Sequence, residues 1–393
     1  MIICIEMTWR WLTHTQNNAN QINALSIAFP NEKILVMAER DHLLELERLC
    51  AKTNKIGFCE IDVPMELQGK THIVSLKRFW REFRTIRNAI SMAPANEKIT
   101  IVMLSATSTA IAAASLVSKL TKKQHKFIIF MHGNLNEIDG WRSRNPFTRK
   151  LDMKSMISTH HGPSIKFVVL ENAIKKELVK KIPEIDCQVE VISHCLNNFS
   201  NYKNSATKFE PPFKFGLIGQ ATADKGLKDF LFIAGEINKK FPGLAEFYLC
   251  GRVNPGELNK IKSENFLVLA HKPDKESISP ENYAKRIMGL HFAILQLSPK
   301  YYSLSASGGM IDAISSGKPI IGGGAKIVLD LFEKYGDIGY VCETLDDTKK
   351  AIETIITEND VEKFLRQKDN LEIIKKDRNI NTTAIAYKSI LER

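Results

Sequence analysis

The residues best suited to chemistry lie between Ser298 and Gly324, in SPKYYSLSASGGMIDAISSGKPIIGGG. Ser303, Ser305, Ser307, Gly308 and Gly309 form a small polar loop that runs into a helix. A helix starting in such a loop presents free backbone N–H groups, and its dipole favours an anion. Gly308 and Gly309 have no Cβ, so a phosphate can approach the backbone. Asp312 and Asp330 are the nearby carboxylates. The stretch suits a phosphate-bearing ligand whose sugar hydroxyl a carboxylate can grip. An ordinary βαβ crossover packed through small residues has the same pattern.

Three more loops of the second half follow strand-like runs. Gly219, Gln220 and the residues to Lys225 and Gly226 combine a glycine turn with a lysine at a helix start. That pairing suits a diphosphate, the ammonium acting as a point charge beside backbone donors. Cys250-Gly251-Arg252 and Ala270-His271-Lys272 are the other two. Four such loops at the ends of successive strands point to a nucleotide-diphosphate site. In the first half, His132 follows a buried strand and precedes Gly133-Asn134, which puts it at a strand end. Glu137, Asp139 and Asp152 are nearby carboxylates that could act as general base, or are solvated loop charges.

These loops need a scaffold. Short apolar runs such as ITIVML (99–104), KFIIFMHG (126–133), KFGLIG (214–219) and HFAILQL (291–297) alternate with helical patterns along the chain. Apolar strands separated by helices indicate a parallel sheet covered on both faces. Residues 13–21, THTQNNANQ, read as a polar loop, and 41–52 as a helix behind an Asp cap. The Asn/Ser-rich stretch 196–213 closes with a Pro pair and reads as a linker. The expected layout is α/β: two doubly wound, Rossmann-like domains, at 1–196 and 214–375, joined by a linker at 197–213. A C-terminal helix at 376–393 packs back on the first domain. In such sheets ligands bind at the carboxyl ends of strands.

The 393 residues are too many for one core, and 44% apolar with 25% charged residues is a folded composition. Seven scattered cysteines without a C-x-x-C indicate a reducing cytosol and neither a disulfide frame nor a zinc site. No basic n-region precedes a long apolar run, and no run reaches the roughly 18 residues that span a bilayer. The net charge of +11 is uneven: residues 1–196 hold 27 Lys/Arg against 19 Asp/Glu. A basic face attracts lipid, nucleic acid or polyphosphate.

LKRFWREFRTIRNAI (76–90) is the sharpest basic element. Leu76, Phe79, Trp80, Phe83, Ile86 and Ile90 share one helical face, and Lys77, Arg78, Arg81, Arg84 and Arg87 lie mainly elsewhere. This composition fits a helix on anionic lipid, through Phe79, Trp80, Arg81, Arg84 and Arg87. It equally fits a surface helix whose aromatics enter the core. Arg142, Arg144, Arg149, Lys150 and Lys154 form a second basic cluster. No nucleic-acid motif accompanies either.

GQATADKG (219–226), FYLCGR (247–252), the helix around Tyr283 and SASGGMIDAISSGKPII (305–321) together resemble a known family. They look like the donor domain of GT-B fold, nucleotide-sugar-dependent glycosyltransferases, the large family with many retaining transferases of cell-wall, capsule and lipopolysaccharide synthesis. The likeness covers 214–345 well and the first half only through MHGNL (131–135). It implies that Asp312 hydrogen-bonds the nucleotide ribose and that backbone at Ser305, Ser307, Gly308 and Gly309 holds the diphosphate. Gly219, Gln220, Gly251 and Arg252 would complete the donor site. Lys225 would neutralise the leaving phosphate in place of a metal, and His132 would sit near the donor sugar. The polar loop after the first strand, with His14 and Asn17, and Asn134 after His132 could bind an acceptor sugar, although that loop lacks the family's paired glycines and equally reads as an ordinary loop. The pattern departs at Leu304, where the family usually has a Glu contacting the sugar.

The expectation is a metal-independent glycosyltransferase with no cofactor, taking UDP- or GDP-sugar. It would glycosylate a glycan or polyprenyl-diphosphate-linked acceptor on the inner face of the cell membrane. A non-catalytic partner of the same fold and a nucleotide-sugar epimerase are the alternatives.

Overall fold

A computed structural model describes residues 1–94, 97–121, 125–140, 145–199, 208–253, 261, 267–269 and 278–392. The chain divides into two compact units. The first comprises Met1–Cys195, Leu304–Ala306 and Ile380–Arg393; the second comprises Leu196–Ser303 and Ser307–Asn379.

The first unit carries seven strands: β1 (Ile2–Glu6), β2 (Ile34–Ala38), β3 (Ile56–Glu60), β4 (Thr100–Ser105), β5 (Lys126–Phe130), β6 (Ile165–Val169) and β7 (Val189–Val191). They form one sheet in the order β3-β2-β1-β4-β5-β6-β7, with every pairing parallel. The chain builds outward from β1 to β3, then returns to lay β4 on the other side of β1. Ligand crevices of such sheets open at the carboxyl ends beside this switch. One core face gathers Cys4, Val36, Val102, Leu104, Ile128 and Phe130 under helices Thr15–Ala28 and Ile380–Leu391. Tyr387 of the latter is fully buried and donates its hydroxyl to Gln21 Oε1 at 2.8 Å.

The second unit has six strands: β8 (Phe213–Leu217), β9 (Ala245–Leu249), β10 (Leu267–Leu269), β11 (Phe292–Gln296), β12 (Ile320–Gly323) and β13 (Gly339–Val341). Their order is β10-β9-β8-β11-β12-β13, again all parallel, with the switch between β8 and β11. Phe215, Phe247 and Phe292 stack across three strands beneath helices Leu227–Lys240 and Leu345–Glu358. Truncating such a buried ring to Ala costs about 3–5 kcal/mol.

Three local expectations change. Residues 15–21 are not a loop but the first half of the helix Thr15–Ala28. Their amides are buried: Asn18 Nδ2 reaches Glu6 and His42, and Gln21 accepts from Tyr387. Tertiary partners hold a polar helix that local patterning does not predict. The next helix, Arg40–Leu49, is capped by Glu39, which accepts from His42 N, while Asp41 lies in its first turn. The basic helix Leu76–Ser91 also turns differently. Arg81 is not on an outer face: its guanidinium donates to the carbonyls of Asp62 and Met7, each at 3.3 Å. Arg78 and Glu82 form a fully buried pair at 3.0 Å, and Thr107 also donates to Glu82. Phe83 and Ile86 enter the core, whereas Leu76, Trp80, Arg84 and Arg87 are exposed and Phe79 is half-buried. No helix among the described residues is long and apolar enough to cross a membrane.

Candidate functional site

In the second unit the site is built around close backbone approaches at the β8–β11 switch. After β8 the chain turns at Gly219, with φ 85°. A methyl at Gly251 would lie 2.1 Å from the Gly219 carbonyl oxygen, and one at Gly309 would lie 2.6 Å from that of Ile218. Only glycine fits at these two places, so the loops after β8 and β9 and the helix Gly308–Ser315 meet backbone to backbone. The Lys225 ammonium covers this knot, 2.8 Å from where a Gly219 methyl would sit. Gly308 differs: it is exposed, and open space surrounds its Cα.

Helix Gly308–Ser315 starts at Ser307, whose Oγ accepts from Met310 N at 3.3 Å. Tyr302, itself buried, hydrogen-bonds Ser307 and fixes that cap. The helical ladder begins with Ile311 N donating to Ser307 O. The N–H groups before it are the ones a helix start leaves for an anion.

Asp312 lies one turn further in and is buried. Its Oδ2 accepts from the Tyr283 hydroxyl at 2.6 Å and its Oδ1 from Asn197 Nδ2 at 2.7 Å. Burial raises the Asp312 carboxyl above its ordinary pKa, against the opposing pull of Tyr283, Asn197 and Lys225. Burial likewise lowers the Lys225 ammonium, with Asp312 drawing it back up, and pushes the Tyr283 phenol well up. A buried carboxylate, a lysine, a phenol and a helix start thus lie within one unit. Gln220 and Arg252 are exposed on the flanking turns. Asp330 is elsewhere engaged, bound by Lys326 at 2.7 Å. His271 and Lys272 lie outside the described residues, as do Arg142 and Arg144. Ser305 is buried and clusters with the first unit, as does Leu304, which is 1% exposed.

Tyr283 and Asn197 are the partners that motif reading missed. Tyr283 sits in a helix (Pro280–Met288) whose resemblance was visible, but Asn197 stood in a stretch read only as linker.

In the first unit, His132 follows β5 and meets His14, Nε2 to Nδ1, at 2.6 Å. His14 adopts the left-handed conformation (φ 62°) at the start of helix Thr15–Ala28, with the Trp9 ring 4.7 Å away. The His194 ring is 6.5 Å from that of His132. Burial, then the neighbouring imidazoles, pushes His132 well below its usual pKa and His14 down to about 3. At the end of β1, Glu6 is fully buried and accepts from Thr8 N (2.8 Å), Trp9 N (3.1 Å), Ser105 Oγ (2.6 Å) and Asn18 Nδ2 (3.2 Å). Burial outweighs these four donors and raises its pKa to about 7. Asn134 is buried and donates to Ala106 O, which ties the loop after β5 to that after β4. Asn17 is buried too; its Oδ1 and that of Asn134 have no hydrogen-bond partner among the described residues. Of the three carboxylates, Asp152 caps the helix Met153–Ile157 and Asp139 pairs with Lys181 at 2.8 Å. Glu137 accepts from Thr71, and burial raises its pKa.

The chain has the GT-B fold of glycosyltransferases. HepE of Anabaena, solved in complex with UDP, superposes with a TM-score of 0.67 over 100% of this chain and 99% of its own, at 14% identity. A glycosyltransferase from Rickettsia africae gives 0.69 over 100% and 99%, at 12% identity. WaaG, a glycosyltransferase involved in lipopolysaccharide biosynthesis, gives 0.64 over 99% of each chain, at 9% identity. The sequence matches no protein-family model and no curated protein.

Proposed function

We propose that this chain is a glycosyltransferase that moves a sugar from a nucleoside diphosphate donor to a hydroxyl of a lipid-linked glycan acceptor. The observation that carries this reading is the glycine knot of Gly219, Gly251 and Gly309, with Lys225 above it and Asp312 behind it, at the switch point of the second sheet.

In this scheme the diphosphate lies against Gly308 and Gly309, the helix start and the Lys225 ammonium opposing the charge that grows on the leaving phosphate. Asp312 holds the ribose. His132, at the end of β5, serves the donor sugar, and the polar carboxyl end of the first sheet (His14, Asn17, Asn134) serves the acceptor. Of the three carboxylates, Glu137, whose pKa burial raises, is the candidate proton acceptor in this scheme. The complex of HepE with UDP supports a uridine donor by analogy of fold.

The exposed Leu76, Trp80, Arg84 and Arg87 of helix Leu76–Ser91 support contact with anionic lipid, where a polyprenyl-linked acceptor is presented. On this reading the protein works at the cytoplasmic face of the membrane.

Calorimetric titration with UDP and GDP, followed by a nucleotide-sugar panel read by mass spectrometry, tests the proposal. Nucleotide binding with sugar transfer or slow donor hydrolysis is expected; absence of binding to every nucleotide rejects it. Leu304, apolar and buried where the family usually has a Glu, favours a second reading as a non-catalytic partner. Nucleotide binding with neither transfer nor hydrolysis of any donor would select it.

A further inference from the structure

Each carboxylate oxygen has two acceptor sites. At Asp312 one site on each oxygen is already filled, by the Tyr283 hydroxyl on Oδ2 and the Asn197 amide on Oδ1. Among the described residues, one acceptor therefore remains on each oxygen. We infer that Tyr283 and Asn197 are positioning residues that lock the Asp312 carboxylate so that its two remaining acceptors grip both hydroxyls of a ribose, which makes the site selective for ribonucleotides over 2′-deoxyribonucleotides. This rests on the nucleotide-binding reading above and adds who sets its sugar selectivity.

Three observations support the assignment. First, the two donors come from separate elements. Tyr283 is on helix Pro280–Met288, and Asn197 is on the segment after β7, where its backbone N–H is also held by Ser315 Oγ at 2.9 Å. A carboxylate gripped from two directions cannot rotate to follow a ligand with a single hydroxyl. Second, the amide orientation is decided by chemistry, since only Nδ2 can donate to a carboxylate. Third, Asp312 is largely buried, so an acceptor that a deoxyribose leaves unfilled is poorly solvated and carries part of its desolvation penalty. A structural tie between helices Pro280–Met288 and Gly308–Ser315 would need only the Tyr283 bond; it does not call for a second donor on the other oxygen.

The charged and titratable groups facing this cluster are Lys225, from the turn after β8, and Cys250, from the end of β9, which acts on Tyr283. The Tyr283 and Asn197 bonds both lower the Asp312 pKa, so removing either raises it. The acid limb of nucleotide binding then moves to higher pH.

The experiment compares UDP with 2′-deoxy-UDP by calorimetry on the full chain, for the wild type, Tyr283→Phe, Asn197→Ala and Asp312→Asn. The wild type should prefer UDP by about tenfold or more. Tyr283→Phe and Asn197→Ala should each weaken UDP about tenfold, weaken 2′-deoxy-UDP distinctly less, and move the acid limb up in pH. Asp312→Asn should abolish the preference. If either variant unfolds, the other carries the comparison, and thermal melting of each shows which is folded. Equal weakening of both nucleotides with an unmoved pH profile makes the two residues structural and overturns the inference. Tighter UDP binding by Tyr283→Phe also overturns it, because the phenol would then compete with the ribose. A wild type that binds UDP without preferring it rejects this inference alone, whereas a wild type that binds no nucleotide rejects the underlying reading as well.

Discussion

His132 Nε2 and His14 Nδ1 lie 2.6 Å apart, one carrying the shared proton and the other accepting it. The contact works only while at least one ring is neutral, and burial depresses both pKa values. A buried imidazole that resists protonation couples folding to pH.

The sign follows from where each state binds protons. Unfolded histidines titrate near pH 6.5, whereas folded His14 titrates near 3 and His42 and His291 near 4. Below 6.5 the unfolded chain binds more protons, so stability present above 6.5 is lost as pH falls towards 3. Glu6 acts oppositely. Its folded pKa of about 7 exceeds 4.5, so its contribution is lost as pH rises from 4.5 to 7. The two effects oppose each other between 4.5 and 6.5, and below 4.5 Glu6 no longer opposes the histidines. Urea denaturation across pH 3–8 should show a steep acid loss below 4.5. His14→Gln should reduce that loss by on the order of 1–3 kcal/mol. Glu6→Gln, which opposes an amide N–H to one of four donors, should cost about 1–3 kcal/mol and flatten the decline towards pH 7.

The glycines separate folding from binding. Gly251→Ala forces a methyl against the Gly219 carbonyl and should destabilise the protein by about 2 kcal/mol or more, read as a lower melting temperature. Gly308→Val meets open space and should leave melting within a few degrees. It should nonetheless weaken UDP at least tenfold, because the branched side chain stands where phosphate approaches. Undiminished UDP affinity in Gly308→Val would move the diphosphate elsewhere.

Lys225 is judged by turnover. Lys225→Met retains most of the stem and removes the charge, so it should lower kcat about 10²-fold while changing the urea midpoint little. Parallel loss of stability and turnover would make the lysine a structural cover for Gly219.

On helix Leu76–Ser91 the arginines divide. Arg84→Glu with Arg87→Glu and Trp80→Ser should lower sedimentation with anionic liposomes at least tenfold without loss of stability, since all three side chains are exposed. Arg81→Glu should instead destabilise the protein by about 1–3 kcal/mol, because it breaks two bonds to backbone carbonyls and sets a second acid beside buried Glu82. Undiminished sedimentation of the triple variant would count against a lipid-facing helix.

The amino-acid sequence alone determined the alternation of strands and helices, because apolar run length and turn residues are local properties. It also marked the loops at Gly219, Gly251 and Gly308–Gly309, because a glycine turn after a buried strand carries its own signal. Tertiary structure decided the rest. Tyr283 and Asn197 reach Asp312 from 29 and 115 residues away, and strand order, not spacing, brings them there. Asn18 and Gln21 look like loop residues until Glu6, His42 and Tyr387 engage their amides inside a helix. Arg81 looks like one cation of a basic face until the carbonyls of Met7 and Asp62 claim it. In each case the deciding partner is remote in sequence. Whether a polar group is solvated or buried depends on which remote donor or acceptor the fold brings to it.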